Sequence, residues 1–175
     1  MEIERKWRME GFPHTAGLPC ERCADVRQGY IATAPAVRIR ESVPQGGAAS
    51  YMLCFKGKGT LAREEIELPL DKELFTRLCV FTGQDLVTKR YRVYRLPGGE
   101  AFEVSLVDEG RPTAFYYAEV EFPTVEAAHA FVPPACLAPF LGEEQTENPA
   151  FSMSAYWKKT RVQPIADSRS EKKEG

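Results

Sequence analysis

The chain has 175 residues, 43% hydrophobic and 27% charged, a balance that suits one globular domain with a sizeable core. Its 23 basic and 25 acidic residues leave a net charge of −2, which excludes a bulk electrostatic case for nucleic acid, so the charges must act by position. There is no run of 18 apolar residues and no charged-then-apolar leader, so no membrane span or signal peptide is expected and the protein is read as cytoplasmic.

Residues 1–7 read Met-Glu-Ile-Glu-Arg-Lys-Trp. Alternate side chains of a strand point to opposite faces, so Glu2, Glu4 and Lys6 share one face and Ile3 lies on the other. Two carboxylates spaced by two residues, about 7 Å along a strand, can share a hard divalent cation, and a lysine one step on can hold an anion beside it. A solvated surface strand is the competing explanation, and the rest of the chain has to decide between the two.

Residues 11–25 are rich in Gly, Pro and Cys and read as a loop. A second strand is expected over 26–33, broken by Pro35, and a third over 36–41, where Arg38 and Arg40 share a face opposite Val37 and Ile39. After a turn at 44–48, residues 51–58 alternate again and bring Lys56 to one side. The next segment, 63–68, sets Arg63, Glu65 and Glu67 together. Asp71 is suited to cap a helix carrying Leu74, Phe75 and Leu78 at helical spacing, ended by Gly83. Strand character returns over 87–96, with Arg90 and Arg92 on one face and Lys89 and Tyr91 on the other. Two strands follow over 101–107 and 115–122, the second with Glu119 and Glu121 opposite Ala118, Val120 and Phe122. Thr124 caps a short helix over 125–131, and 148–159 forms a last helix. Residues 1–160 are therefore one domain, and 161–175 a polar, disordered tail.

Five scattered cysteines argue against a disulfide framework. Cys20-Glu-Arg-Cys23 is a CxxC that could be a zinc half-site or a redox pair. No second CxxC follows, and the histidines are only His14 and His129, so a structural or incidental role is preferred.

Eight strand candidates with two or three helices give an α+β chain dominated by antiparallel strands. In strand after strand the polar face is specifically ionic rather than Ser, Thr, Asn or Gln. A closed barrel of about eight strands leaves room inside for side chains or one small ligand. If the charges point inward, such a lumen is unfavourable unless something binds in it, and a polyphosphate with a divalent cation would supply partners for both signs.

The order of these elements resembles the CYTH superfamily, the triphosphate tunnel metalloenzymes. The resemblance rests on the opening Glu2-x-Glu4-x-Lys6, then Gln28-Gly29-Tyr30, Arg38-x-Arg40, Lys56 in Phe-Lys-Gly, Arg63-x-Glu65-x-Glu67, Lys89-Arg90-Tyr91-Arg92, Phe102-Glu103 and Glu119-x-Glu121. It implies an eight-stranded antiparallel β-barrel, the triphosphate tunnel, with a few flanking helices, and metal-dependent hydrolysis of a triphosphate, foremost inorganic tripolyphosphate. A non-catalytic binding module, a thiamine triphosphatase and an adenylate cyclase are the alternatives. The implied cofactor is Mg²⁺ or Mn²⁺, held by Glu2, Glu4, Glu119 and Glu121, with Glu103 as a further carboxylate. Lys6, Arg38, Arg40, Lys56, Arg63, Lys89 and Arg90 are the implied substrate contacts. Arg92 competes with Arg90 for the family's arginine position, and Lys89 and Arg90 cannot both face inward in a regular strand. Glu65 and Glu67 are implied to position water or a lysine. Lys6 is implied to contact phosphate or, with its pKa lowered among cations, to orient and deprotonate the attacking water. The implied partner is a small triphosphate, with no nucleic acid and no membrane, and a homodimer is left open by the apolar outer face. Two places depart from the family: Ser105 stands where an aspartate is common, and Phe151-Ser152-Met153 lacks a common asparagine.

Overall fold

The computed structural model describes residues 1–163. Strands β1 (Glu2–Met9), β2 (Cys20–Thr33), β3 (Ala36–Pro44), β4 (Ser50–Lys56), β5 (Ala62–Arg63) and β6 (Glu65–Leu70) precede helix α1 (Lys72–Cys79). Strands β7 (Val87–Arg95), β8 (Ala101–Val107) and β9 (Phe115–Glu121), helix α2 (Val125–Ala130), strand β10 (Leu141–Glu144) and helix α3 (Met153–Trp157) complete the described residues.

The sheet is antiparallel and runs β1-β9-β8-β7-β2-β3-β4-β6. It nearly closes on itself because the segment between β4 and α1 is one strand broken at Glu64: β6 pairs with β4, and β5 pairs Arg63 with Glu2 and Ala62 with Ile3 on β1. Counted that way the barrel has the eight expected strands. Strand β10 is an addition that sequence patterning misses, lying beside the far end of β1 through Trp7 and Glu144.

The barrel wears its apolar core on the outside. Trp7 and Met9 of β1, Phe102 and Val104 of β8, and Val120 of β9 are buried together with Ala128 of α2 and Leu137. The strand residues among these alternate with lumen-facing ones, so the period-two pattern sends apolar side chains outward and ionic ones inward. A second cluster of Tyr30, Val87, Val107, Tyr117 and Trp157 plugs one end of the lumen beneath α3. Burying a large side chain such as Trp157, 2% exposed, contributes on the order of 2–3 kcal/mol to holding that plug.

Helix boundaries follow local chemistry. Asp71 accepts from the Leu74 amide at 2.7 Å, and Gly83, at φ 65°, ends the 3₁₀ turn after α1 in the left-handed region. Thr124 caps α2 through the Ala127 amide and Ser152 caps α3 through the Ala155 amide.

Three expectations need correction. Strand β2 begins at Cys20, so residues 20–25 of the expected 11–25 loop are sheet; Arg22 opposite Val93 and Cys23 opposite Arg92 supply its ladder. The last helix does not span 148–159: α3 covers Met153–Trp157 and continues as a π turn over Lys158–Val162, because Ser152 is extended, at φ −116° and ψ 152°, and caps the helix there. Arg161, expected to open a disordered tail, is buried in that π turn and pairs with Asp108 at 2.7 Å. The remainder of the expected tail, from 164 on, lies outside the described residues. No helix among the described residues is long and apolar enough to cross a membrane.

Candidate active site

The lumen is a cavity of about 1350 Å³ lined by charges of both signs. Register builds its acidic wall: Glu4 of β1 sits opposite Glu121 of β9, and Glu119 of β9 sits opposite both Lys6 of β1 and Glu103 of β8. The basic wall comes from Arg38 and Arg40 of β3, Lys56 of β4, Arg63 of β5 and Lys89 of β7, with Glu65 and Glu67 of β6 on the same side.

Ion pairs knit the two walls together. Lys6 Nζ lies 2.7 Å from Glu4 and 3.4 Å from Glu119. Lys56 bridges Glu2 at 3.0 Å and Glu65 at 2.7 Å, while Arg63 holds Glu2 at 2.7 Å and also Glu4. Arg38 is looser, 3.6 Å from both Glu65 and Glu67, and its buried Nε–H has no hydrogen-bond partner among the described residues. Arg40 is 3.7 Å from Glu67. A buried guanidinium with an unspent donor is costly by itself and is suited to an anion in the lumen.

Protonation follows from this crowding. Burial pushes Glu121 up to about 7, helped by Glu103, Glu2, Glu4 and Glu119. Burial and Glu119 raise Glu4, against Lys6 and Arg63, and burial raises Glu103. Glu119 goes the other way: burial opposes its charge, but Lys6, Lys89, Lys56 and Arg63 bring it down to about 2. Burial takes Lys89 down to about 7, with Arg38, Arg40 and Lys56 adding to the effect, and its Nζ donates to the Tyr117 hydroxyl at 2.6 Å. Burial would lower Lys6 as well, yet Glu119 and Glu4 outweigh it and raise its pKa.

No family model matches the chain. The inorganic triphosphatase of Nitrosomonas europaea is 34% identical over 154 residues, covering 88% of this chain and 95% of that protein. The crystal structure of the inorganic triphosphatase NE1496 superposes with a TM-score of 0.58 at 30% identity, over 89% of this chain and 93% of that one. The chain belongs to the CYTH superfamily. A triphosphatase from Hippeastrum, described as a putative adenylyl cyclase, shares the fold at 17% identity and a TM-score of 0.51, over 74% of this chain and 83% of its own.

The CYTH tunnel gathers most of the residues read from the sequence: Glu2, Glu4, Lys6, Arg38, Arg40, Lys56, Arg63, Glu65, Glu67, Lys89, Glu103, Glu119 and Glu121 all line it. Arg90 and Arg92 do not. Strand alternation that turns Lys89 inward turns both arginines outward, where Arg90 pairs with Glu109 on the surface and Arg92 stacks 4.2 Å over Phe12. Lys6 also needs correction as a low-pKa base, since its nearest charges are carboxylates and it stays a cation.

The acidic wall fits a hard divalent cation. Glu4 stands opposite Glu121 and Glu103 opposite Glu119 in register, and burial, with neighbouring carboxylates adding to it, raises three of the four, a cost that a dication on this wall would relieve. Across the lumen, the donor atoms of Cys54, Glu65 and Glu67 lie within 4.8 Å of one another. That trio suits a hard dication less well, because one of its three donors is a thiol whose pKa burial pushes up to about 12.

Sequence reasoning missed several lining groups. Tyr117 shares the ionic face of β9, which alternation with Glu119 could have shown, and Tyr91, already read onto the Lys89 face of β7, lines the lumen with it. Arg22 enters from the segment expected to be a loop, and no pattern signals it. Ser105 sits between Tyr91 and Tyr117 in register, 2% exposed, where the family's carboxylate is common.

Proposed function

We propose that this CYTH chain is a triphosphatase that hydrolyses a phosphoric anhydride bond of inorganic tripolyphosphate within the barrel. The observation that carries the reading is the buried, under-coordinated Arg38 in a basic wall, in a lumen whose other wall carries Glu4, Glu103, Glu119 and Glu121. Support comes from the Nitrosomonas europaea relative, whose described activity is that of an inorganic triphosphatase.

Phosphoryl transfer asks the protein for positioning and charge neutralisation rather than covalent chemistry. Arg38 and Arg40 offer planar forks to phosphate oxygens, and Lys56 and Arg63 place point charge further along the lumen. Glu65 and Glu67 hold Arg38, Arg40 and Lys56 in place. Lys6, kept cationic by Glu4 and Glu119, contacts a phosphate at the acidic wall. A Mg²⁺ or Mn²⁺ ion held by Glu4, Glu103, Glu119 and Glu121 would supply further neutralisation and an activated water. Lys89 lies close to neutrality between Tyr117 and the basic wall, and gains its proton as phosphate charge arrives.

Five free thiols fit a reducing cytoplasmic setting, and the exposed Phe55, Ile66 and Leu68 on the outer face of β4 and β6 fit a homodimer. Ser105 favours one second reading, a barrel that binds a triphosphate without turning it over. Phosphate release from tripolyphosphate, ATP and thiamine triphosphate, with and without Mg²⁺ or Mn²⁺, tests both. Metal-dependent release favouring tripolyphosphate supports the hydrolase. Tight tripolyphosphate binding with no release from any of the three supports the receptor.

A further inference from the structure

Cys20 and Cys23 open β2, and their sulfurs lie 3.4 Å apart on the exposed side of the barrel. A regular strand cannot do this, since residues three apart point to opposite faces and are separated by about 10 Å. A bulge solves it. Cys20 pairs with Tyr94 and Arg22 with Val93, leaving Glu21 as the extra residue, and Cys23 then falls opposite Arg92. The two cysteines thereby share the outward face of Arg92 and Tyr94, and Arg22 between them turns inward to line the tunnel. Its guanidinium donates to the Tyr91 hydroxyl at 3.0 Å and lies 5.4 Å from that ring.

We propose that Cys20 and Cys23 form a reversible thiol–disulfide site whose oxidation repositions Arg22 at the tunnel wall. The coupling to substrate rests on the triphosphatase reading; the disulfide itself does not. The sulfurs need to approach by only about 1.4 Å to reach bonding distance. Among the described residues this is the one pair of thiols in contact, and no third His, Cys, Asp or Glu donor joins it to make a zinc site. The oxidant is a low-molecular-weight disulfide. The exposed Cys20 thiolate attacks one of its sulfurs and expels a thiolate that takes up the proton Cys20 lost. The Cys23 thiolate then attacks Cys20 Sγ, and a second thiolate leaves with the second proton. Two protein thiols become one disulfide, and the small disulfide becomes two thiols. Closing the ring draws the backbone together across Arg22, which lifts its guanidinium from Tyr91.

The test oxidises the full chain with oxidised glutathione, maps its disulfides by mass spectrometry, and measures tripolyphosphate turnover before and after dithiothreitol. The expected result is a Cys20–Cys23 cross-link, with KM for tripolyphosphate raised about three- to fivefold at unchanged kcat, the scale of one half-exposed charge contact. Dithiothreitol should reverse it, and Cys20→Ser/Cys23→Ser should keep the basal rate and lose the response. In Arg22→Ala the cross-link should form without moving KM. Glutathione adducts with no Cys20–Cys23 bond, a bond formed elsewhere, or equal KM in both redox forms would overturn the proposal. A reduced protein that turns over no tripolyphosphate would strike the triphosphatase reading and the coupling with it, while the cross-link map still decides the redox site.

Discussion

The Arg161 guanidinium donates to Asp108 Oδ2 at 2.7 Å, and both side chains are almost wholly buried, at 4% and 1% exposure. Asp108 follows β8 at a positive φ of 48°, and it also accepts from the Tyr156 hydroxyl at 2.7 Å and the Thr88 amide at 3.1 Å. This carboxylate therefore ties the closed end of the barrel to α3 and the π turn. Arg161→Met leaves it without its cation, and breaking a buried pair this way costs about 3–5 kcal/mol. For a chain of this size that is a fall in Tm of roughly 6–15 °C, measurable by thermal denaturation.

The same carboxylate sets an acid limit. Burial works against its charge, but the Tyr156, Thr88 and Arg161 contacts together hold its pKa below the usual aspartate value. A depressed folded pKa means the unfolded chain binds the proton first, so the contribution is complete above about pH 4 and fades as pH falls below it. Tm measured from pH 7 to pH 3 should show the gap between wild type and Asp108→Asn narrowing below about pH 4. A gap that stays constant would show that the ionised form carries none of the stability.

Lys89, Arg90 and Arg92 make an internal control for the tunnel. Lys89→Met removes a lumen cation, and losing a charge-assisted contact of about 1.5–3 kcal/mol should raise KM for tripolyphosphate at least tenfold. Arg90→Ala touches only a surface pair with Glu109 and should leave KM within about twofold. Steady-state kinetics on both variants, with folding checked by circular dichroism, separates the two faces of β7. Equal effects would mean that the face assignment of β7 is wrong.

Much of this was legible from alternation alone. Glu2, Glu4 and Lys6, or Glu119 and Glu121, are spaced by two, and only one face of a strand can carry them, so the ionic lumen could be read without coordinates. What stayed hidden depends on breaks in that period. The bulge at Glu21 delivers Arg22 to the tunnel from a stretch whose Gly and Pro content reads as loop. The break at Glu64 lets one strand bridge β4 to β1 and close the barrel. The pairing of Lys6 with Glu4 and Glu119 is a cross-strand relationship, and it reversed the expected direction of the lysine's pKa. Arg90 against Arg92 was undecidable from motif order, but alternation excluded both once Lys89 was placed inside.

Lys6, Lys89, Lys56 and Arg63 together hold Glu119 ionised against its burial, and it stands opposite both Lys6 and Glu103. Glu119→Gln keeps the shape and removes the charge. Turnover of tripolyphosphate should fall by about two orders of magnitude, on the order of 3 kcal/mol of transition-state stabilisation, and the Mn²⁺ concentration giving half-maximal rate should rise. Glu4→Gln should behave alike, because it faces Glu121 on the same wall. Metal-dependent turnover that survives both substitutions would remove the acidic wall from the mechanism.

Ser105 offers the converse test, adding a charge instead of removing one. It lies on the lumen face of β8, two residues from Glu103 and in register with Tyr117, and is 2% exposed. A carboxylate introduced by Ser105→Asp joins an already repulsive group and is desolvated, so without metal it should lower Tm by several degrees, roughly 2 kcal/mol. With saturating Mg²⁺ the same carboxylate gains a cation to face, and ligand-linked stabilisation should recover most of that loss. Thermal shift assays in chelator and in Mg²⁺, on wild type and variant together, read the difference directly. A metal-induced shift larger in Ser105→Asp than in wild type places position 105 beside the cation. An equal shift in both proteins places the cation further along the wall, toward Glu4 and Glu121, and leaves Ser105 as a neutral spacer between two tyrosines.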